Sequence, residues 1–258
     1  MYLSKIALNP SIAQKSQLGL ILKDRSYGMH RLLWDLFEQG ERFLFREESQ
    51  REQLSAPRNL PLYYVLSKSE PKHDSLIFTI ESKQFQPCLS DGDQLAFRLR
   101  ANPTVSKPLE GKKNSVRHDV VMNAQSEWLK KANESRGLSI DGKKGELKKR
   151  LLTHQDFVDT KGMKYLDEAL KNEMDNAAKH WLSSRGENMG FVLSGKSLQA
   201  SSYRWNALPE KGRHAGFSSM DYEGILTVSD PDRFIEQLYT GFGPAKAFGC
   251  GLMLIRRV

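Results

Sequence analysis

Cysteine is almost missing from this 258-residue chain: Cys88 and Cys250 are the only two, and neither belongs to a Cys-x-x-Cys or Cys/His spacing. A disulfide framework and a structural zinc site are therefore not expected. Long apolar runs are missing as well, with no segment approaching the roughly eighteen residues a membrane-spanning helix needs. The start, Met1-Tyr-Leu-Ser-Lys-Ile-Ala-Leu8, turns polar too soon for a secretory signal. The expectation is a soluble, cytoplasmic protein with no membrane partner. Histidine is sparse, and His73, His118, His154 and His180 have no ligand spacing between them, so they read as structural or exposed. Neither a metal nor a cofactor is expected.

Acidic charge is in short supply too: 31 Asp and Glu face 39 Lys and Arg, leaving a formal net charge of +8. The excess is uneven, because residues 107–150 hold twelve Lys/Arg against six Asp/Glu. A polyanionic partner fits this balance. Nucleic acid comes ahead of an acidic membrane surface, since no basic amphipathic helix with a large apolar face stands out. A solvated, charged surface is the alternative.

The last eighteen residues, Gly241-Phe-Gly-Pro-Ala-Lys-Ala-Phe-Gly-Cys-Gly-Leu-Met-Leu-Ile-Arg-Arg-Val258, place four glycines and one lysine between a helical pattern and a closing strand. Gly241, Gly243, Gly249 and Gly251 lack a Cβ, so an anion can approach the loop's N–H groups, and Lys246 adds a point charge. A dinucleotide fingerprint runs from strand to loop to helix, whereas the order here is reversed, which excludes a Rossmann site. A glycine-rich turn that only lets a helix pack on a strand is the other reading.

Periodicity supplies the architecture. Residues 2–8 alternate as a strand, 26–38 repeat as a helix, and 42–46 and 60–67 read as further strands. After a short turn or helical segment, residues 94–100 alternate apolar and basic side chains and stop at Ala101-Asn-Pro103. That order matches a ferredoxin-like βαββαβ unit. The second half repeats it: a helix ending near Trp181, a strand over 190–193, hairpin arms over 197–205 and 222–228, and a helix opened by Asp230 as N-cap and Pro231. The expected fold class is α+β, two tandem ferredoxin-like (RRM-like) domains over residues 1–104 and 105–258, with a charged helical insertion at about 125–176 in the second.

The helix over residues 26–38 carries the sharpest chemical signal. At about 100° per residue, Met29, Leu32, Leu33, Leu36 and Phe37 form an apolar arc, while Tyr27, His30, Arg31 and Trp34 gather beside it. Tyr27 and His30 are three residues apart and so neighbours on that surface, within reach of one phosphodiester. Imidazole suits proton transfer near neutral pH, and a phenol can position a hydroxyl. A satisfied boundary histidine gives the same pattern.

Five segments occur together in order: Met1-Tyr-Leu-Ser-Lys, Tyr27-Gly-Met-His30-Arg-Leu-Leu-Trp34-Asp-Leu-Phe37, Phe43-Leu-Phe45-Arg, Phe97-Arg-Leu-Arg-Ala-Asn-Pro103 and the glycine-rich segment from Gly241 to Leu252. In this the chain resembles the CasE family, the precursor-crRNA endoribonuclease subunit of type I-E Cascade. The resemblance implies two ferredoxin-like domains that bind a CRISPR repeat stem-loop, cut once at its 3′ base without a metal, and stay bound alongside other Cascade subunits. It implies that His30 and Tyr27 carry the catalysis, with Gly241 to Gly251 as the family's glycine-rich segment. It also implies that a basic hairpin enters the RNA groove, with its tip at Pro209-Glu-Lys-Gly-Arg-His-Ala-Gly216, so that Lys211, Arg213 and His214 are RNA contacts. A turn alone would explain Gly212 and Gly216.

The chemistry follows from RNA itself. The 2′-OH is an internal nucleophile, so the protein needs to align it, remove its proton and protonate the leaving 5′ oxygen, giving a 2′,3′-cyclic phosphate and a 5′-OH. Arg31, Lys112 and Lys113 are candidates to stabilise the charge that builds on phosphorus. Lys112, Lys113, Arg117, Arg98 and Arg100 read as a positive track for phosphates, with the solvent face of a strand as the alternative for Arg98 and Arg100. Within the insertion, Arg136-Gly-Leu-Ser-Ile-Asp-Gly-Lys-Lys-Gly-Glu-Leu-Lys-Lys-Arg-Leu-Leu152 faintly resembles half of a SAP motif, and the insertion is expected to add nonspecific RNA affinity. A solvated helix after a glycine turn gives the same string. Two other functions compete: a non-catalytic ferredoxin-like RNA-binding protein, and a nucleotide-binding metabolic enzyme, which would need an acidic metal cluster or a strand-loop-helix phosphate site that the sequence lacks.

Overall fold

The computed structural model describes residues 1–9, 27–38, 40–48, 62–108, 115–195, 197–208, 212 and 215–258. Its first sheet contains β1 (Tyr2–Leu8), β2 (Leu44–Glu48), β3 (Leu62–Ser67) and β4 (Phe78–Gln84) in the spatial order β2-β3-β1-β4, every pair antiparallel. Read from the other edge, this is the 4-1-3-2 order of a ferredoxin-like unit. Helix α1 (Tyr27–Trp34) makes the first crossover. The second is a non-helical turn, held where Glu41 accepts the backbone N–H groups of Lys68 and Ser69 at 2.8 and 2.9 Å.

Strand alternation gives this sheet two apolar faces. Ile6, Leu8, Phe43, Phe45, Tyr63 and Val65 point toward α1, which buries Met29, Leu33 and, just past its end, Leu36 and Phe37 against them. The opposite face presents Met1, Leu3, Leu44, Tyr64 and Leu66, which meet Tyr239, Leu252 and Leu254 of the second unit. Burying a leucine fully is worth about 1.5–3 kcal/mol, so a register slip of one residue in β2 or β3 would cost both cores at once.

The second sheet runs β11-β5-β10-β8, built from β5 (Gln94–Ala101), β8 (Phe191–Leu193), β10 (Gly216–Val228) and β11 (Met253–Arg257), with β9 (Gln199–Ala207) forming a hairpin on β10. In chain order this is again 4-1-3-2, and α5 (Pro231–Thr240) supplies its second crossover. Asp230 caps that helix by accepting the N–H of Arg233 at 3.1 Å. The chain thus folds as two tandem ferredoxin-like units.

One boundary differs from the sequence expectation. Residues 94–100, read as closing the first unit, form the first strand of the second: Leu99 pairs with both Tyr222 and Met253. A division after residue 104 therefore cuts behind a strand that belongs to the second sheet, and the change of sheet falls between Gln84 and Gln94. The strand that closes the first unit is β4, whose Thr79, Glu81 and Lys83 are exposed on an edge. A half-polar edge strand carries almost no hydrophobic pattern, whereas β5 alternates cleanly and fits either sheet by periodicity alone.

Between β5 and β8 lie a two-stranded ribbon, β6 (Thr104–Lys107) with β7 (Val116–Asp119), and three helices, α2 (Val120–Glu134), α3 (Lys144–Leu152) and α4 (Thr160–Gly186). The ends of this helical run belong to the main core, through Val121, Ala178, Trp181 and Leu182. Its middle has a core of its own, Leu129, Ala132, Leu147, Leu151, Phe157, Leu166 and Leu170. The buried Asn133 ties it together, its amide donating to the carbonyls of Leu129 at 2.7 Å and Leu147 at 3.2 Å. The charged insertion expected near 125–176 is this satellite. Among the described residues no helix is long and apolar enough to cross a membrane.

Candidate functional site

His30 sits in the first full turn of α1, half-buried among aromatic rings. Phe43 stacks on it with centroids 5.3 Å apart, and Trp34 and Phe45 lie at 5.5 and 5.7 Å. Phe43, just before β2, and Phe45 on it are two apart, so extended alternation puts both on the face that receives the helix. The imidazole has no carboxylate beside it among the described residues, and burial pushes its pKa below the ordinary histidine value. It is therefore neutral near pH 7 and able to accept a proton. Tyr27 begins the same helix three positions earlier, and its side chain lies outside the described residues. Arg31 follows on the exposed side.

The glycine-rich segment reaches this site from the second unit. A Cβ at Gly241 would come within 2.7 Å of the Leu44 methyls, and one at Gly249 within 3.3 Å of the Phe45 ring. Phe45 thus touches both His30 and the loop. Gly241, Gly249 and Gly251 are buried against protein: the first two pack closely between the units, against Leu44 and Phe45, and Gly251 packs on Phe242 of its own loop, where the sequence reading expected the cradling of an anion. Gly243 and Lys246 do open to solvent space.

That space is a cleft of about 800 Å³ bounded by Thr104, Val105 and Ser106 of β6, Arg117 of β7, Arg185 near the end of α4, and Gly243 to Lys246. Arg185 donates to the carbonyl of Trp181 at 2.7 Å, and its guanidinium lies 4.8 Å over that indole. Lys246 donates to the carbonyl of Thr240 at 2.6 Å, and burial pulls its pKa down. Arg117, Gly243 and Lys246, expected to contact RNA, are thereby brought together. Arg185 was not singled out by sequence: it ends a long charged helix, where one arginine looks like any other solvated residue.

The other expected cations lie elsewhere. Arg100 forms a bidentate pair with Asp221, at 2.8 and 3.1 Å, and donates to the carbonyl of Glu47 at 3.0 Å. Its place is the seam between the units, where its guanidinium is committed, and not an open phosphate track. Arg98 reaches Glu48 at 3.7 Å and Glu223 at 3.8 Å while remaining about half exposed. Lys112, Lys113, Lys211, Arg213 and His214 lie outside the described residues. Cys250, beside the seam, is no nucleophile, because burial pushes its thiol up to about 12.

Known proteins are similar to this chain along its whole length. The model of a family described as CRISPR associated protein matches residues 1–257. The chain is 28% identical over 266 residues to the CRISPR-associated endoribonuclease Cse3 of Thermus thermophilus, covering 99% of each protein. It is 26% identical over 261 residues to the CRISPR system Cascade subunit CasE of Escherichia coli, covering 98% of each. Among solved structures, that of Thermus thermophilus Cse3 bound to an RNA representing a pre-cleavage complex superposes with a TM-score of 0.63 at 23% identity, over 99% of this chain and 98% of that one. The Escherichia coli Cas6e structure gives 0.55 at 22% identity over the full length of both. Both superpositions carry the two-unit fold, and the family match spans His30, the seam and the glycine-rich segment alike: the chain belongs to the CRISPR-associated protein family.

Proposed function

We propose that this protein is an endoribonuclease that cuts CRISPR repeat stem-loops in precursor crRNA and remains on the product as a Cascade subunit in the cytoplasm. The observation that supports it most is His30, a neutral imidazole on the helix that the second unit's Lys246–Phe248 turn packs against, a ring's breadth from a loop that opens into a cation-lined cleft. Relatives covering the whole chain carry the names of an endoribonuclease and of a Cascade subunit.

The reaction is a transesterification. The ribose 2′ oxygen attacks phosphorus, the bond from phosphorus to the 5′ oxygen breaks, and the 2′ proton is taken up while the 5′ oxygen gains one. The products are a 2′,3′-cyclic phosphate and a 5′-OH, and the nucleophile is already in the substrate, so proton transfer and alignment suffice without a metal. Burial keeps His30 unprotonated at neutral pH, which suits it to remove the 2′ proton, with Tyr27 orienting the hydroxyl. Arg31, Lys112 and Lys113 are the cations assigned to the charge on phosphorus, and Lys211, Arg213 and His214 to the RNA groove at the tip between β9 and β10.

The test is single-turnover cleavage of a repeat RNA in excess EDTA. Wild type yields a cyclic phosphate end. His30→Ala lowers the rate by about 10²–10⁴-fold, the usual contribution of general acid-base catalysis, while still binding the RNA. Cleavage of a substrate carrying 2′-deoxyribose at the cut, or a His30→Ala protein cutting at the wild-type rate, would overturn the mechanism. A wild type that binds and never cuts would favour the non-catalytic RNA-binding protein.

A further inference from the structure

We infer that the cleft between the β6–β7 ribbon, the end of α4 and the Gly243–Lys246 loop is a preformed seat for one phosphodiester of the bound RNA, with Arg185 as its anchor. This rests on the RNA-cleaving reading and adds to it a site and a residue.

Charge carries the argument. Arg117, Arg185 and Lys246 come from a strand, a helix and a loop far apart in sequence, and they line the same cavity. No carboxylate lines it among the described residues. At the seam between the units, by contrast, the neighbouring cations Arg46 and Arg100 are matched by Asp221 and Glu48. Converging like charges repel, so three cations with no acid among the described residues are tolerated where an anion is to be received. A phosphodiester carries one negative charge and accepts several hydrogen bonds, which the cleft can supply.

Preorganisation points the same way. A guanidinium has five N–H donors. In Arg185 one goes to the Trp181 carbonyl, and the indole beneath fixes the plane, leaving the others directed by a rigid fork. Lys246 is likewise tethered through the Thr240 carbonyl. The loop that holds it bends through Ala245, a non-glycine residue at φ 62°, in the left-handed region. Such a backbone persists only where its surroundings impose it. Here Phe248 of the following turn stacks on Phe217 at 5.0 Å, and the turn packs on β2 and α1. The cleft is thereby set at a fixed distance from His30, and a phosphate bound there would align the RNA strand at the cut. A small apolar ligand fits poorly, because among the described residues Val105, Pro244 and Ala245 are the only apolar side chains on its wall.

The test uses the full chain and a repeat RNA made uncleavable by 2′-deoxyribose at the cut, with each phosphate replaced in turn by a neutral methylphosphonate. In wild type, one replacement weakens binding about tenfold; in Arg185→Gln the same replacement has no further effect. Arg185→Gln also makes the salt dependence of binding shallower by about one unit of log–log slope. Arg185→Lys recovers part of the affinity. Because Arg185 packs on Trp181, thermal unfolding is followed in parallel, and Lys246→Gln, on the loop, gives the same coupling should Arg185→Gln fail to fold. Additive losses at every phosphate, or folded variants with wild-type affinity and slope, would overturn the seat. So would variants that bind RNA normally and lose only an acidic protein partner. Loss of the coupling in a wild type that cleaves normally sinks the seat alone, whereas a wild type that fails to cleave the all-ribose RNA sinks the nuclease reading, and the coupling is then judged on binding.

Discussion

Two groups of cations lie on either side of the same loop and behave oppositely. At the seam, Arg46, Arg98 and Arg100 meet Glu48, Asp221 and Glu223, and the charges cancel within the protein. In the cleft, Arg185 meets a backbone carbonyl and an indole, Lys246 meets a backbone carbonyl, Arg117 lines the same wall, and no acid joins them among the described residues. All six side chains count equally toward a net charge of +8. Only the second group leaves its charge for a ligand. A basic composition therefore announces a polyanion without saying which cations receive it; that is settled by where carboxylates fall in space.

Removing the acid at the seam should have the largest effect. Asp221→Ala leaves Arg46, 2% exposed, and Arg100 without their shared carboxylate, and should lower the unfolding free energy by about 3 kcal/mol or more in chemical denaturation. Little loss would mean the seam is wet and its pairs are ordinary surface ones. Making the cleft resemble the seam is the converse experiment. Ser106→Glu adds an acid at an exposed position on the cleft wall and should weaken repeat-RNA binding about tenfold, with the thermal midpoint unchanged.

A third measurement separates chemistry from both charge groups. The folded pKa of His30 is lowered by burial, and its unfolded value lies near 6.5. Between those two values the unfolded chain binds more protons, so protonation of His30 costs stability as pH falls below about 6.5 and changes nothing above it. The single-turnover cleavage rate should accordingly stay flat from about pH 7 to 8 if His30 is the base, and fall only on the acid side. A rate still climbing with pH above 7 would assign the base to another group. The smallest effect belongs to the insertion. Lys143 and Lys149 are exposed and make no ion pair among the described residues. Changing both to Gln should reduce the salt slope of binding by at most about one unit each, without altering the rate at saturating RNA. An unchanged slope would make the satellite a solvated face.

How much was legible can be argued residue by residue. Met29, Leu33, Leu36 and Phe37 announced the buried face of α1, and with it the position of His30 beside that face, because helical geometry is local. Asp230 and Pro231 announced the start of α5 for the same reason. β4 was missed, since an exposed edge strand has one buried face and little pattern, and β5 was given to the wrong sheet, since alternation says which residues face together but not which strand lies alongside. Gly241 and Gly249 were read as an anion cradle; a missing side chain looks the same whether an anion or a leucine comes close.

By itself, then, the chain's sequence determined most of its elements, its two ferredoxin-like units, its excess of positive charge and the helix that carries Tyr27 and His30, because each depends on neighbours within a turn or a strand. Tertiary structure alone decided that β5 belongs to the second unit, that Arg100 is neutralised by Asp221, and that Arg185 joins Arg117 and Lys246 around one cleft. Those outcomes depend on pairs of residues tens of positions apart, and electrostatic fate is a property of distance in space, which no local pattern encodes.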